Sequence, residues 1–297
     1  MSDNVSNGIA PSGFRLPAET YIGLVRLQIS DLARSLAYYE RVLGMRTLSR
    51  AAGVAQLGAV EGDTPILELH EKKGVNPIPR RGRLGLFHFA ILLPDRASLG
   101  RFVTHLSDIG AYAGMSDHIV SEALYLSDPD GLGIEVYADR PRGGWRYKDR
   151  ELVMGTLPLD VPDLVSAGGA TRWTGMPNGT RMGHVHLYVG DLDEGAAFYH
   201  EALGFDKVVW GYPGALFLSA GGYHHHLGTN TWAAGAPPAT DDDARLLEWE
   251  LVLPSGATVA DAAASVEGAG GQVERLPNGE ARARDPWGTA VRLVPAR

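Results

Sequence analysis

The chain has 297 residues, of which 44% are hydrophobic, enough to build cores for two domains of ordinary size. Its 35 acidic and 27 basic residues give a net charge of -8 with no basic cluster, which argues against nucleic acid as a partner and reads as solubility. Cysteine is absent, which excludes disulfides, thiolate metal sites, iron–sulfur clusters and a cysteine nucleophile, so any metal must sit on nitrogen and oxygen.

Residues 1–19 are polar and rich in Ser, Asn, Gly and Pro, lack the basic and apolar segments of a signal peptide, and are expected to form a disordered tail. No apolar run approaches the roughly 20 residues that cross a bilayer, so a soluble, cytoplasmic protein without membrane contact is expected. One pattern then repeats four times: a strand, a short polar turn and a helix, near 23–31, 87–95, 184–191 and 247–255. The opening strands alternate in character, as Leu24 to Ile29 and His184 to Val189 show, which is the period of a half-buried strand.

The first helix opens on Asp31 and runs to Leu43-Gly44-Met45. The third opens on Asp191 and runs to Leu203-Gly204-Phe205. Asp caps a helix start and Gly stops its end. Three short strands are expected after each helix, and units two and four close on the turns Asp128-Pro129-Asp130-Gly131 and Asp285-Pro286-Trp287-Gly288. Residues 142–180 read as a linker with a short helix, dividing a first domain at 20–141 (units one and two) from a second at 181–297 (units three and four). Residues 231–243, rich in Ala, Pro and Asp, read as a lid or a surface loop. The fold class is α+β: four βαβββ units forming two curled mixed-sheet domains.

The tandem unit, with Leu-Gly-Phe after the helix and Asp128-Pro129-Asp130-Gly131 before a strand carrying Ile134-Glu135-Val136-Tyr137, resembles the vicinal oxygen chelate superfamily of glyoxalase I, fosfomycin and bleomycin resistance proteins and type I extradiol dioxygenases. The resemblance extends from about Tyr21 to Pro295. It implies that paired units curl into an open cup holding a divalent metal on ligands from their opening and last strands. In that family the first ligand lies seven residues before the helix-opening turn residue, and the count from Asp31, Asp95, Asp191 and Ser255 reaches Leu24, His88, His184 and Glu248. The last-strand ligand follows the Asp-Pro-x-Gly turn, which gives Glu135 in unit two and Arg292 in unit four.

The resemblance therefore implies the metal ligands His88, Glu135 and His184, the two-imidazole, one-carboxylate set of non-haem Fe(II) oxygenases. That set requires unit two to pair with unit three, leaving unit one with unit four around Leu24 and Arg292 as a cup without metal. Pairing unit three with unit four would instead offer His184, His226 and Glu248. Extradiol relatives also imply Tyr125, ten residues before Glu135, and His118 seven before that, as donors to substrate oxygens, the latter spacing being two shorter than usual. A His-bearing strand after a Gly turn implies His224 as the pocket base, with His226 on its face and His225 on the other.

The implied activity is Fe(II)-dependent extradiol cleavage of a catechol or related diphenol by O2, with Mn(II) as a possible metal and a homodimer or higher homo-oligomer as the assembly. The alternatives are a glyoxalase-type metal-dependent isomerase or lyase, and a metal-free small-molecule-binding resistance protein. His186 is read as a hydrogen-bonding residue near the rim. His70, His105 and His200 are read as surface or packing residues, and the six tryptophans as packing.

Overall fold

The computed structural model describes residues 7–296. Unit one comprises β1 (Tyr21–Ile29), α1 (Leu32–Arg41), β2 (Arg46–Ala51), β3 (Val54–Gly58) and β4 (Leu67–Glu71); unit two comprises β5 (Gly85–Leu92), α2 (Arg96–Asp108), β6 (Gly114–Asp117), β7 (Ser121–Ser127) and β8 (Gly133–Asp139). The linker contains β9 (Tyr147–Lys148), β10 (Glu151–Leu152) and α3 (Val161–Gly168). Unit three comprises β11 (Arg181–Tyr188), α4 (Leu192–Ala196, continued by a π-helical turn at Ala197–Ala202), β12 (Asp206–Val209), β13 (Ala215–Ser219) and β14 (Leu227–Asn230). Unit four comprises β15 (Arg245–Leu253), α5 (Gly256–Gly268), β16 (Val273–Arg275), β17 (Ala281–Arg284) and β18 (Ala290–Pro295).

Asp31, Asp95, Asp191 and Ser255 all cap their helices by accepting backbone N–H groups of the first turn. The turn residues that serve as the sequence ruler are thus structurally equivalent points.

The hydrogen-bonded sheets cross the linker. Units two and three form one eight-stranded sheet in the order β12-β13-β14-β11-β5-β8-β7-β6, joined by antiparallel pairing of β11 with β5. Units one and four form the other, β16-β17-β18-β15-β1-β4-β3-β2, joined by β1 with β15. Different contacts tie consecutive units. Tyr39 on α1 donates its hydroxyl to Asp128 at 3.2 Å, and Tyr199 donates to Asp285 at 2.9 Å, so a helix of one unit grips the closing turn of the next. Sheet pairing and helix-to-turn pairing together close the four units into a ring.

Alternation decides what each sheet face carries. Val25, Leu27 and Ile29 on β1, Phe89 and Ile91 on β5, and Val185 and Leu187 on β11 enter a continuous core with Tyr39, Phe102, Tyr199 and Val266 of the helices. The intervening residues face the other way and line two cups. In the cup of units one and four, Arg26 reaches Glu68 at 3.1 Å, Glu248 at 3.0 Å and Glu250 at 2.8 Å, and Arg282 and Arg292 also bind Glu248.

The segment before β1 is docked, not loose as expected of a tail. Ile9 pairs with Lys207, Arg15 makes two 2.8 Å contacts to Asp206, and the Leu16 N–H donates to the Gly204 carbonyl. Edge strand β12 offers free backbone groups that this segment satisfies, a contact invisible to local composition. Residues 1–6 of the expected tail lie outside the described residues. Residues 231–243 are pinned as well: Gln28 donates to the Asp241 and Asp243 carbonyls, and Arg83 pairs with Asp243 at 2.8 Å. Among the described residues no helix is long and apolar enough to cross a membrane.

Burial pushes the Asp128 carboxyl up to about 7, against the N–H groups of Leu132 and Asp130, which favour its charged form. Because the folded value exceeds the unfolded one, the stability Asp128 contributes is complete below about pH 4 and declines until about pH 7. Asp128→Asn, which keeps an oxygen for both N–H groups, is expected to flatten that decline. Urea unfolding at pH 5.0 and 7.5 checks this, and an unchanged difference between the two pH values refutes it.

Candidate active site

Strand register brings the residues of the second cup together. Ala90 stands opposite both Glu135 on β8 and His184 on β11, while His88, two residues away on β5, stands opposite His186. Directly paired residues share a sheet face, so His88, Glu135, His184 and His186 all look into the cup. The ligand-type atoms of His88, Glu135 and His184 lie within 4.8 Å of one another, and all three residues are buried. Glu135 Oε2 is 3.0 Å from His88 Nε2 and 3.3 Å from His184 Nε2.

These residues fit a metal ion. Both ring nitrogens of His88 and Nδ1 of His184 are buried without a hydrogen-bond partner, the 3.0 Å approach of His88 to Glu135 being close but poorly directed. Buried polar atoms are seldom left so, and a cation bound at imidazole nitrogen would satisfy one on each ring. Burial opposes ionisation of Glu135, but His184 and His88 outweigh it and hold the carboxyl well below its usual range. Burial presses the His184 imidazole down to about 4, against the pull of Glu135. At neutral pH the cup thus presents a carboxylate and a neutral imidazole, the protonation states a metal requires.

Tyr125 pairs across β7 and β8 with Glu135, and its hydroxyl lies 2.6 Å from His118 Nε2. His118 Nδ1 is 2.7 Å from the Gly155 carbonyl, which can only accept, so Nδ1 carries the proton and Nε2 accepts from Tyr125. Burial, reinforced by Glu135, raises the Tyr125 hydroxyl well above its usual range, so it stays protonated. His186 Nε2 accepts from the Asn230 amide at 2.9 Å, a hydrogen-bonded role within the cup, deeper than the rim position expected for it.

The triple histidine differs from expectation. Residues 221–226 form a turn ahead of β14, not a strand, because Gly221 and Gly222 both take positive φ values (61° and 68°). Strand alternation therefore does not apply. His225 packs against His184 with ring centroids 4.1 Å apart. His224 stands behind it, its Nδ1 2.7 Å from His225 Nδ1 and its Nε2 2.9 Å from Asp139 Oδ1. With both rings neutral, only one proton order satisfies this chain: His224 Nε2–H donates to Asp139 and His225 Nδ1–H donates to His224. His226 turns away, accepting the Ala220 N–H at 3.2 Å.

The structure thus brings His88, Glu135, His184, Tyr125 and His118 into one cup, puts His224 one residue further back and sends His226 elsewhere. His225 and Asp139 complete a chain whose roles sequence reading missed. Asp139 sits four residues after Glu135 on β8, and even spacing on a strand was the signal that could have found it. Glu248 lies in the other sheet, so His184, His226 and Glu248 do not meet. The linker roofs the cup: Leu152 clusters with Phe217 and Tyr212, Asp117 bridges to Leu157, and Trp145 packs 5.5 Å from His224. Outside the cups, His105 binds the Arg41 carbonyl and buried His200 that of Phe205, while His70 binds Glu68 in the cup of units one and four.

The glyoxalase/bleomycin resistance protein/dioxygenase superfamily matches this chain at residues 21–136 and 181–293, once on either side of the linker. The chain is 46% identical over 273 residues to a catechol-2,3-dioxygenase of Bacillus subtilis (strain 168), covering 90% of this chain and 94% of that protein. Among solved structures, one from B. subtilis subsp. subtilis str. 168, provisionally described as a dioxygenase, superposes with TM-score 0.66 at 12% identity, covering 95% of this chain and 86% of that one. Glyoxalase I from Zea mays superposes with TM-score 0.54 at 18% identity, covering 93% and 92%. These two show the fold alone. The chain belongs to the glyoxalase/bleomycin resistance protein/dioxygenase superfamily, of which it is a four-unit member resembling catechol 2,3-dioxygenases. It is an enzyme of the extradiol dioxygenase type.

Proposed function

We propose that the chain is an Fe(II)-dependent dioxygenase that opens the ring of a catechol or related small aromatic diol with O2, and that His88, His184 and Glu135 hold the metal. The observation that carries this reading is the trio of buried ligand atoms within 4.8 Å, with three ring nitrogens lacking any other partner. When bound on such a set, Fe(II) supplies a template with open positions for both a diol and dioxygen, and Mn(II) suits the same donors. Tyr125, whose hydroxyl proton is held by His118, accepts a hydrogen bond from a substrate hydroxyl. The bare Nε2 of His225 takes a substrate hydroxyl proton, and His224, seated on Asp139, steadies the resulting charge. Phe87, Phe217 and Trp232, which ring His186, supply apolar walls for an aromatic ring. We place the enzyme in the cytoplasm, and we read it as a homodimer or higher homo-oligomer, an assembly for which its exposed sheet edge at β2 offers a surface.

The test is anaerobic loading of untagged protein with Fe(II), then addition of catechol and substituted catechols in air, following yellow product and oxygen together. One oxygen consumed per diol supports the reading. Stoichiometric bound metal with neither signal for any diol refutes it and favours isomerase or lyase chemistry.

Tyr125→Phe is expected to lower kcat by about 10²-fold, the low end of what a positioned hydrogen-bonding or proton-transfer group contributes, while metal content stays unchanged. Steady-state kinetics with metal analysis checks this. A variant with full kcat would remove Tyr125 from the reaction.

A further inference from the structure

We propose that a second pocket, outside both cups, binds a small oxyanion, the carboxylate or phosphate group of a small molecule, between Arg142 and Arg181. The pocket has a volume of about 230 Å³ and is walled by residues 18–22, the start of β11 and the turn that ends in His226. Arg142 opens the linker, and Arg181, the first residue of β11, follows directly on its end. Among the described residues neither guanidinium has a carboxylate partner. Arg142 is held by ring faces, 5.5 Å from the Trp145 centroid and 5.3 Å from that of Tyr223, and makes only a long 3.4 Å bond to the Gly221 carbonyl. That stacking fixes the guanidinium plane while leaving its N–H edges free.

Two further groups point to an acceptor as the missing occupant. Thr20 lines the pocket, is 3% exposed, and its hydroxyl has no hydrogen-bond partner. His226 also lines it, and because its Nδ1 accepts the Ala220 N–H, the proton of the neutral ring sits on Nε2, a donor. Burial, then His224, Arg142, His184 and Arg181 in turn, press that imidazole down to about 3, so the ring is neutral across the physiological range. Two guanidinium forks, a hydroxyl and an imidazole N–H form a donor set that matches the oxygens of a carboxylate or phosphate. Glu19 at the exposed rim is the one opposing charge.

The location gives the site a consequence. A ligand spanning Arg142 and Arg181 ties together the two ends of the linker that roofs the active-site cup. The pocket wall Tyr223 also bonds Tyr137 at 2.6 Å and Asp139 at 3.2 Å, and Asp139 seats His224. An anion here steadies the roof.

The test is calorimetric titration of the purified protein, in low-salt buffer at pH 7, with inorganic phosphate and separately with benzoate. One saturable site is expected. Its affinity falls at least tenfold in both Arg142→Gln and Arg181→Gln, rises in Glu19→Gln, and is unchanged in Arg146→Gln, an exposed linker arginine outside the pocket. Tighter phosphate identifies a phosphorylated ligand and tighter benzoate an organic acid. No saturable binding of either anion, or binding indifferent to both arginine substitutions, overturns the proposal. Circular dichroism of each variant confirms that these exposed substitutions leave the fold intact, and the readout needs no turnover.

Discussion

Glu135→Ala is expected to leave a folded protein that retains less than a tenth of its iron and loses ring cleavage by at least about 10³-fold, equivalent to about 4 kcal/mol of barrier. Glu135 supplies the carboxylate in a cup whose other two ligand candidates are imidazoles, so without it the site has no negative charge to offset a divalent ion. The buried imidazoles of His88 and His184, with ring centroids 5.5 Å apart, then have no carboxylate between them. Metal analysis of protein loaded and desalted without oxygen checks the first part, and coupled oxygen uptake the second. Full iron retention would show that the metal sits elsewhere. Loss of activity with iron retained would mean that Glu135 acts on substrate and not on the metal.

Arg26→Met is expected to cost about 3–5 kcal/mol of stability, because it removes the guanidinium shared by three buried carboxylates, of which only Glu248 keeps other arginine partners. Glu68, Glu248 and Glu250 are between 7% and 15% exposed at their side chains and all touch Arg26. The effect carries a pH signature. A hydrogen bond from His70, opposed by burial and aided by Gln56 and Arg26, holds Glu68 down at about 2. Glu248 is also lowered: burial raises it, but Arg282, Arg292 and Arg26 prevail. Folded values below unfolded ones mean stability that is present above about pH 4.5 and is lost as pH falls toward 2. The variant should therefore show a smaller loss of stability between pH 5 and pH 3 than the parent. Metal content should not change, since the proposed ligands His88, Glu135 and His184 lie in the other sheet. Urea unfolding at several pH values tests the claim, and a variant as stable as the parent would show that the network is dispensable.

The contrast between the two cups is chemical. On the opening strands, Leu24 and Glu248 occupy the positions that His88 and His184 hold in the other sheet. On the last strands, Glu68 stands opposite Arg26 as Glu135 stands opposite Ala90, and Arg292 stands opposite Glu250. One cup has orphaned imidazole nitrogens facing a carboxylate, a set that invites a cation. The other has carboxylates already neutralised by Arg26, Arg282 and Arg292, and needs none.

Much of the site was legible because helix caps are local. Asp31, Asp95, Asp191 and Ser255 each sit one turn ahead of their own helix, so counting back from them along a strand reaches equivalent positions whatever the fold does later. Tyr125 was legible for the same reason, being a fixed number of residues from Glu135 across one short turn. His225 was not. Its place depends on Gly221 and Gly222 bending the chain before β14, and the sequence alone does not choose between a turn and two more strand residues there. The order of residues 7–19 was equally hidden, since polar composition says nothing about whether a neighbouring strand edge lies open beside it.

The sequence by itself determined the repeating unit, its alternating strands and capped helices, and the places of His88, Glu135 and His184 in the strand register, because each depends on residues within a few positions of one another. Tertiary structure decided which units share a sheet, that the linker closes over one cup, and that Arg142 and Arg181, 39 residues apart in the chain, face a single pocket. Those outcomes depend on backbone edges and buried charges meeting across the whole fold. Their energies arise only when distant segments exclude water together.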